Sequence, residues 1–385
     1  MLQKLKNLTS WHIFLIILTV VTFFIYLATS AGRTPYDYFT RLGTAFLQGK
    51  YYLTDNPPWL NELIPIGTNK FAVVYPPAPA IVAIPFLLIL NQNFQQQILA
   101  HIMGALAAFI WALIAYKKTS NKLTSLWVFL LTAFGNILWF LASTGSVWYL
   151  GQVSAFLFLT LTIYESLNKK RWYLVVLYFG FAFLSRIQTI LALPLILYLN
   201  KNYLKILLGL SFFGVFFALY NYLRFGSFFE TGYGLIPGVL SEPWYKNGIF
   251  DLSYIWPNFK VMFFSTPILK NEFPYITPSW AGLSIFITSP AFIYAFGAPL
   301  KSRINLFTWV SIFLIAFVIF IHGGTGFTQF GYRYAVDFYP LVLLLIVNAL
   351  GSKNPAWHHW LLLSVSILIN LWGVLWINKF GWVSF

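Results

Sequence analysis

Long apolar runs dominate this chain. No Asp, Glu, Lys or Arg occurs between residues 71 and 116, and none between 124 and 164. Such runs exceed what a soluble core uses and suit helices of about 20 residues crossing about 30 Å of hydrocarbon. The pattern predicts an all-α polytopic membrane protein with about eleven transmembrane helices. They fall at 11–29, 98–116, 125–142, 149–166, 172–186, 188–200, 204–222, 281–297, 304–321, 337–350 and 358–377. The runs at 188–200 and 337–350 are short for a crossing. The first run follows Lys4 and Lys6 and reaches Thr29. It is longer than the roughly 7–15-residue core of a cleaved signal peptide, so it reads as an uncleaved first span.

The segment 76–91 is apolar but opens Pro76-Pro77-Ala78-Pro79 and contains Pro85. It either crosses the membrane or lies re-entrant at its surface. The positive-inside rule decides between these. If 76–91 does not cross, the turns with Lys117, Lys118 and Lys122, with Lys169, Lys170 and Arg171, with Lys201 and Lys205, with Lys301 and Arg303, and with Lys353 all lie inside with Lys4 and Lys6. The N-terminus is then cytoplasmic. Spans run from end to end, which predicts one transmembrane domain, 1–385. Two long outer loops remain, 30–97 and 223–280, rich in Pro, Gly, Tyr and Trp. Loops of this length are functional or disordered, and their aromatic content favours order, with short interfacial helices.

Composition agrees: 59% of residues are hydrophobic, 21% aromatic and only 9% charged, against about 25% charged in soluble domains. The formal net charge is +15. Loop lysines and arginines account for much of it, so topology and anionic head groups explain the excess and nucleic acid is not an expected partner. With no cysteine, thiolate chemistry, disulfides and Cys-type metal sites are excluded. No internal repeat is visible, which weakens a transporter built from inverted repeats. A transporter or lipid flippase is the rival class. It would place ionisable groups near the bilayer midplane, and the predicted spans hold almost none.

There are nine acidic residues. On this topology eight lie outside: Asp37, Asp55, Glu62, Glu230, Glu242, Asp251, Glu272 and Asp337; Glu165 lies inside. Carboxylates gathered at one face, beside arginines at helix ends, suggest chemistry there. Asp37 stands where the first span leaves the membrane, flanked by Tyr36 and Arg41 as candidate substrate contacts. The plainer reading of Asp37 is a helix N-cap. Tyr75-Pro76-Pro77 is a rigid opening to an interfacial helix and a candidate pocket wall. Arg186, in Leu184-Ser185-Arg186, either snorkels or grips a phosphate. The run from His322 to Asp337 is rich in glycine, which lets backbone N–H groups turn toward an anion. Arg333 and Asp337, four apart, pair with each other if that segment is α-helical. Glu230 and Tyr233 are candidate sugar contacts, since aromatic faces stack on sugars and carboxylates take hydroxyls, and Asp337 is a further candidate substrate contact. His101, His358 and His359 have no metal-like spacing with acids.

These pieces together resemble the GT-C superfamily of polytopic membrane glycosyltransferases, near bacterial relatives of protein O-mannosyltransferases and lipid A aminoarabinose transferases. The resemblance rests on Asp37 and on Ala45-Phe46-Leu47-Gln48-Gly49-Lys50-Tyr51-Tyr52. It rests also on Tyr75-Pro76-Pro77, Leu184-Ser185-Arg186, and Phe330-Gly331-Tyr332-Arg333-Tyr334 with Asp337 and Pro340. It implies a polyprenyl-phosphate sugar donor, a lipid, glycan or protein acceptor, and an active site on the extracytoplasmic side of the plasma (inner) membrane. It implies a catalytic acid in the first outer loop: Asp37, Asp55 or Glu62, of which Asp37 matches by position. Many relatives carry two adjacent acids there, whereas Asp37 stands between two tyrosines; no metal or other cofactor is expected. Asp37 is then the base of an inverting transfer, and Arg186 and Arg333 hold the donor phosphate in the same cavity.

Overall fold

The computed structural model describes residues 10–279 and 281–382. Lys4 and Lys6, which contribute to the expected N-terminal orientation, lie outside these residues. The protein is mostly helical, and it is a multi-pass membrane protein. Seven helices among the described residues are long and apolar enough to cross a membrane, and an eighth span arises if one bent pair counts as a single crossing.

The chain begins with α1 (Ser10–Ala28), whose Ile17, Val20 and Phe24 are exposed, as lipid-facing positions are. The short α2 (Tyr38–Leu47) follows, then an antiparallel hairpin of β1 (Leu63–Gly67) and β2 (Lys70–Val73). Asn69 takes φ 52° at its turn, a left-handed conformation that asparagine tolerates. Next comes α3 (Ala78–Leu90), packed on α2. It has 13 residues, about 20 Å at 1.5 Å per residue, so it is too short to span.

The centre is built by α4 (Gln96–Thr119), α5 (Lys122–Ala133), α6 (Leu138–Thr144) and α7 (Val147–Leu167). The α5–α6 pair bends by 53°. Asn136 explains how the break is tolerated. Its amide donates to the Leu131 and Thr132 carbonyls at 2.7 and 3.1 Å, and its oxygen accepts from the Leu138 N–H at 2.9 Å. Backbone groups freed by the kink are thus satisfied where no water is available. Gly104 lets α4 approach its neighbours: a Cβ there would lie 2.7 Å from Ala142 and 2.9 Å from the Tyr26 ring.

The second half runs through α8 (Trp172–Phe183), a 3₁₀ turn (Ile187–Ala192), α9 (Leu193–Leu199) and α10 (Tyr203–Phe225). The second long loop holds α11 (Ile255–Phe264) and a hairpin of β3 (Ile268–Leu269) and β4 (Ile276–Thr277). After α12 (Ile285–Thr288) come α13 (Arg303–Phe320), a 3₁₀ segment (Arg333–Phe338), α14 (Tyr339–Leu350) and α15 (Trp357–Val374). The Arg333–Leu350 segment is the most buried of the candidate spans.

Two expectations change. The two small hairpins mean that the two long loops are not purely helical. The run 281–297 forms no long helix, only α12 and a 3₁₀ stretch, Pro290–Gly297. Pro290 lacks an N–H, and Asn370 takes up the Thr288 carbonyl at 2.6 Å. By length and composition, seven or eight of the expected spans qualify among the described residues, and Ala78–Leu90, Trp172–Phe183 and Ile187–Leu199 are shorter apolar helices.

Candidate functional site

Six segments converge on one cavity of about 370 Å³: the start of α2, the chain after β2, the start of α7, the turn after α8, the loop after α10, and the end of α13 with the loop that follows it. Its walls include Arg186 and Arg333, the aromatic side chains of Tyr75, Trp148, Tyr233 and Tyr334, and an apolar side made by Ile187, Ile190, Leu191, Val318 and Ile319. The cavity is thus cationic at one place and oily elsewhere.

The two arginines differ. Arg186 donates to Asp337 from Nε at 3.2 Å and Nη2 at 3.1 Å, and Gln188 donates to the same carboxylate oxygen. Arg333 is buried, and among the described residues no carboxylate comes within ion-pair distance of it. Its Nε has no acceptor. Aromatic faces cover it instead, with Tyr334 at 4.7 Å and Tyr149 at 5.8 Å from the guanidinium carbon. Gln152, from α7, fixes its backbone by donating to the Arg333 carbonyl at 2.7 Å. The i,i+4 pairing of Arg333 with Asp337 does not form. The segment is 3₁₀, with about three residues per turn, so positions four apart are offset by about 120°.

The glycines before Arg333 mainly permit close packing. A Cβ on Gly323 would lie 2.5 Å from the Tyr245 ring, and one on Gly331 would lie 2.6 Å from Ile137. The Gly323 N–H donates to the Ile249 carbonyl at 2.8 Å. Asn258 of α11 holds the start of the loop through the Phe320 and His322 carbonyls, at 3.2 and 2.8 Å, and accepts from the Tyr332 hydroxyl at 2.6 Å. His322 is packed among Tyr233, Phe250 and Tyr334, at 5.5–5.6 Å between ring centres. Burial, with the charges of Arg186 and Arg333, pushes its pKa down to about 4, so the imidazole in the wall is neutral at pH 7.

Asp37 and Arg41 do not share this cavity. They line a second, polar hollow of about 380 Å³ with Arg33, Lys50 and Asp55. Arg41 donates to Asp37 at 2.7 Å and to Asp55 at 2.6 Å. The expectation that Asp37 joins Arg186 and Arg333 in a single cavity is therefore corrected. Asp37 occupies the N-cap position of α2 but makes no side-chain cap bond. Instead Gln96 anchors this turn, accepting from the Phe39 N–H at 3.0 Å and donating to the Tyr36 carbonyl at 3.2 Å. The first turn of α2 separates the two hollows: Phe39 lines the first, while Asp37, Thr40 and Arg41 line the second.

Tyr75 lies in the first cavity, its ring against Tyr38 and Phe39 at 5.8 and 6.0 Å. Its buried hydroxyl has no hydrogen-bond partner among the described residues. Tyr233 lines the same cavity and accepts from the Tyr245 hydroxyl at 3.3 Å. Tyr36 stands just behind the wall, 4.7 Å from Trp148 between ring centres. Glu230 turns onto its own loop, accepting from the Gly232 N–H at 2.7 Å, and is not a wall residue.

Sequence reasoning missed Trp148, Tyr149 and Gln152, at the N-terminal end of α7. Trp148 Nε1 donates to both oxygens of Glu62, at 3.2 and 3.0 Å. Burial pushes the Glu62 carboxyl up to about 7, against the opposing effects of the Trp148 hydrogen bond and the Arg333 charge. The available signal was a Trp-Tyr pair and a glutamine inside a charge-free apolar run. Among the described residues no group of three His, Cys, Asp or Glu side chains is placed to hold a metal ion.

No family model matches the chain. No curated protein matches it either. A search of solved structures matches the crystal structure of ArnT from Cupriavidus metallidurans bound to undecaprenyl phosphate, with a TM-score of 0.55 and 13% identity. The match covers 94% of this chain and 63% of that one, so the chain spans under two thirds of ArnT's length. At 13% identity the likeness shows the fold alone: this chain has an ArnT-like fold.

Proposed function

We propose that the protein is a membrane glycosyltransferase. It moves a sugar from a polyprenyl-phosphate donor to a hydroxyl of a lipid, glycan or protein at the extracytoplasmic face, with inversion. The observation that carries this reading is Arg333: a buried cation without a carboxylate in ion-pair contact, facing a cavity with an oily side. An uncompensated buried charge is costly, and an anionic ligand removes that cost. A lipid phosphate fits both halves of the cavity, and ArnT, with the same fold, has been crystallised with one.

In this scheme Arg333 holds the donor phosphate bidentately, and Arg186, already oriented by Asp337, adds a second positive charge. Tyr75 and Tyr233 border the bound donor. The acceptor arrives through the polar hollow, and Asp37, beside Tyr36 and Arg41, accepts the hydroxyl proton, a step that requires substrate binding to open the two hollows to each other across the first turn of α2. The acceptor oxygen bonds to the anomeric carbon as the bond from that carbon to the phosphate oxygen breaks. The electron pair leaves with the phosphate, whose growing charge the arginines stabilise.

An assay of the purified protein with a panel of undecaprenyl-phosphate sugars tests this. Arg333→Ala is expected to weaken donor binding by roughly ten- to a hundredfold, the loss of a charged hydrogen-bonded contact of about 1.5–3 kcal/mol. Asp37→Asn is expected to slow transfer by about 10²–10⁴-fold with donor binding intact. Wild-type turnover in Asp37→Asn removes Asp37 as base; unchanged donor binding in Arg333→Ala removes the phosphate site.

A further inference from the structure

Trp148 sits at the N-terminal end of α7, and its indole lines the cavity. The ring has one hydrogen-bond donor, Nε1, and Glu62 takes it with both carboxylate oxygens. What the indole offers the cavity is therefore carbon surface. Tyr36 backs it at 4.7 Å, so its orientation is fixed from two sides.

Gly151 lies three residues along the same helix and also lines the cavity. Positions i and i+3 share a helix face, so the missing side chain leaves room directly beside the indole. A Cβ on Gly151 would meet the Ser185 carbonyl at 3.7 Å and Phe39 at 3.8 Å, ordinary contact distances. Packing thus does not demand glycine here; the space opens to the cavity. An apolar, rigid aromatic surface next to a vacant ledge, in the cavity that holds Arg333, has the shape and chemistry of a seat for a sugar ring. The C–H face of a pyranose stacks on carbon π-surface, and a donor's sugar is joined directly to its phosphate.

We infer that Trp148 and Gly151 form the seat for the donor's sugar ring, and that Glu62 is the positioning residue that fixes the indole. The inference rests on the donor reading above and adds which residues distinguish a glycosylated lipid phosphate from a bare one.

The test compares binding of bare undecaprenyl phosphate with undecaprenyl phosphate carrying glucose, mannose or N-acetylglucosamine. Wild type is expected to bind at least one glycosylated lipid about tenfold more tightly than the bare lipid. Trp148→Leu is expected to erase that preference while binding of the bare lipid changes by less than about twofold; tenfold corresponds to about 1.4 kcal/mol. Gly151→Ala, which the backbone accommodates, is expected to reduce the preference without changing bare-lipid binding. Glu62→Gln keeps an oxygen acceptor for the indole and is expected to retain the preference, whereas Glu62→Leu loses it. The inference is overturned if Trp148→Leu weakens both ligands equally, if it changes neither, or if wild type shows no preference for any sugar. It is also overturned if Glu62→Gln is as damaging as Glu62→Leu. Failure of wild type to bind bare undecaprenyl phosphate overturns the underlying donor reading instead.

Discussion

Arg186 and Arg333 carry the same charge into the same cavity, yet among the described residues only Arg186 has a carboxylate within ion-pair reach. That asymmetry separates a charge that is part of the scaffold from one free to take a ligand. Neither partner assignment was legible in the sequence. Asp337 lies 151 residues from Arg186, and its neighbour at i−4, Arg333, was the obvious local alternative. The 3₁₀ twist that separates them follows from tertiary packing rather than from local sequence. Glu62 offers a test at the same scale. Burial raises its pKa from 4.5 to about 7. A carboxyl with a raised folded-state pKa costs no stability below the unfolded value, and stability falls as pH climbs from about 4.5 to 7. Glu62→Gln removes that titration and keeps an acceptor for Trp148. Its melting temperature relative to wild type is therefore expected to rise between pH 5 and pH 8, measured by thermal unfolding in detergent. An offset that does not change with pH contradicts the burial of this carboxyl.

Among the elements, those set by uninterrupted apolar length were readable: α1, α4, α7, α10, α13 and α15 lie close to their predicted bounds. The bend between α5 and α6 was not readable, because Asn136 looks like any polar residue in a span until its hydrogen bonds to the Leu131 and Thr132 carbonyls are seen. The β1–β2 hairpin was missed because its strands are short and embedded in a long loop. The hairpin matters because its exit delivers Tyr75 to the cavity. Arg224, buried in the last turn of α10, holds that exit. Its guanidinium donates to the Val73 and Val74 carbonyls and to Asn221, and it lies 4.0 Å from the Tyr220 ring centre. Arg224→Met keeps the volume and removes the donors. Each carbonyl left without a partner costs about 1–3 kcal/mol. The expected result is a lower melting temperature together with faster hydrogen exchange across residues 63–75. Unchanged exchange there shows that the hairpin stands without this anchor.

Across the whole molecule, the fold brings residues of two long loops to one cavity, with a second hollow on the other side of the first turn of α2. From topology and acidic residues, the sequence leads to the expectation that the site's ingredients share one membrane face. It did not reveal that Asp37 and Arg41 face one hollow while Arg186 and Arg333 face the other, since that division depends on which side of a single helical turn each residue occupies. Both hollows contain cations. Arg33, Arg41 and Lys50 in the second compete, as an anion site, with Arg186 and Arg333 in the first. A structure of the protein with undecaprenyl phosphate bound discriminates between them. The account predicts the phosphate within hydrogen-bonding distance of the Arg333 guanidinium, about 2.7–3.2 Å, with the lipid chain along Ile187, Ile190 and Leu191. A phosphate bound instead among Arg33, Arg41 and Lys50, with Arg333 untouched, contradicts it.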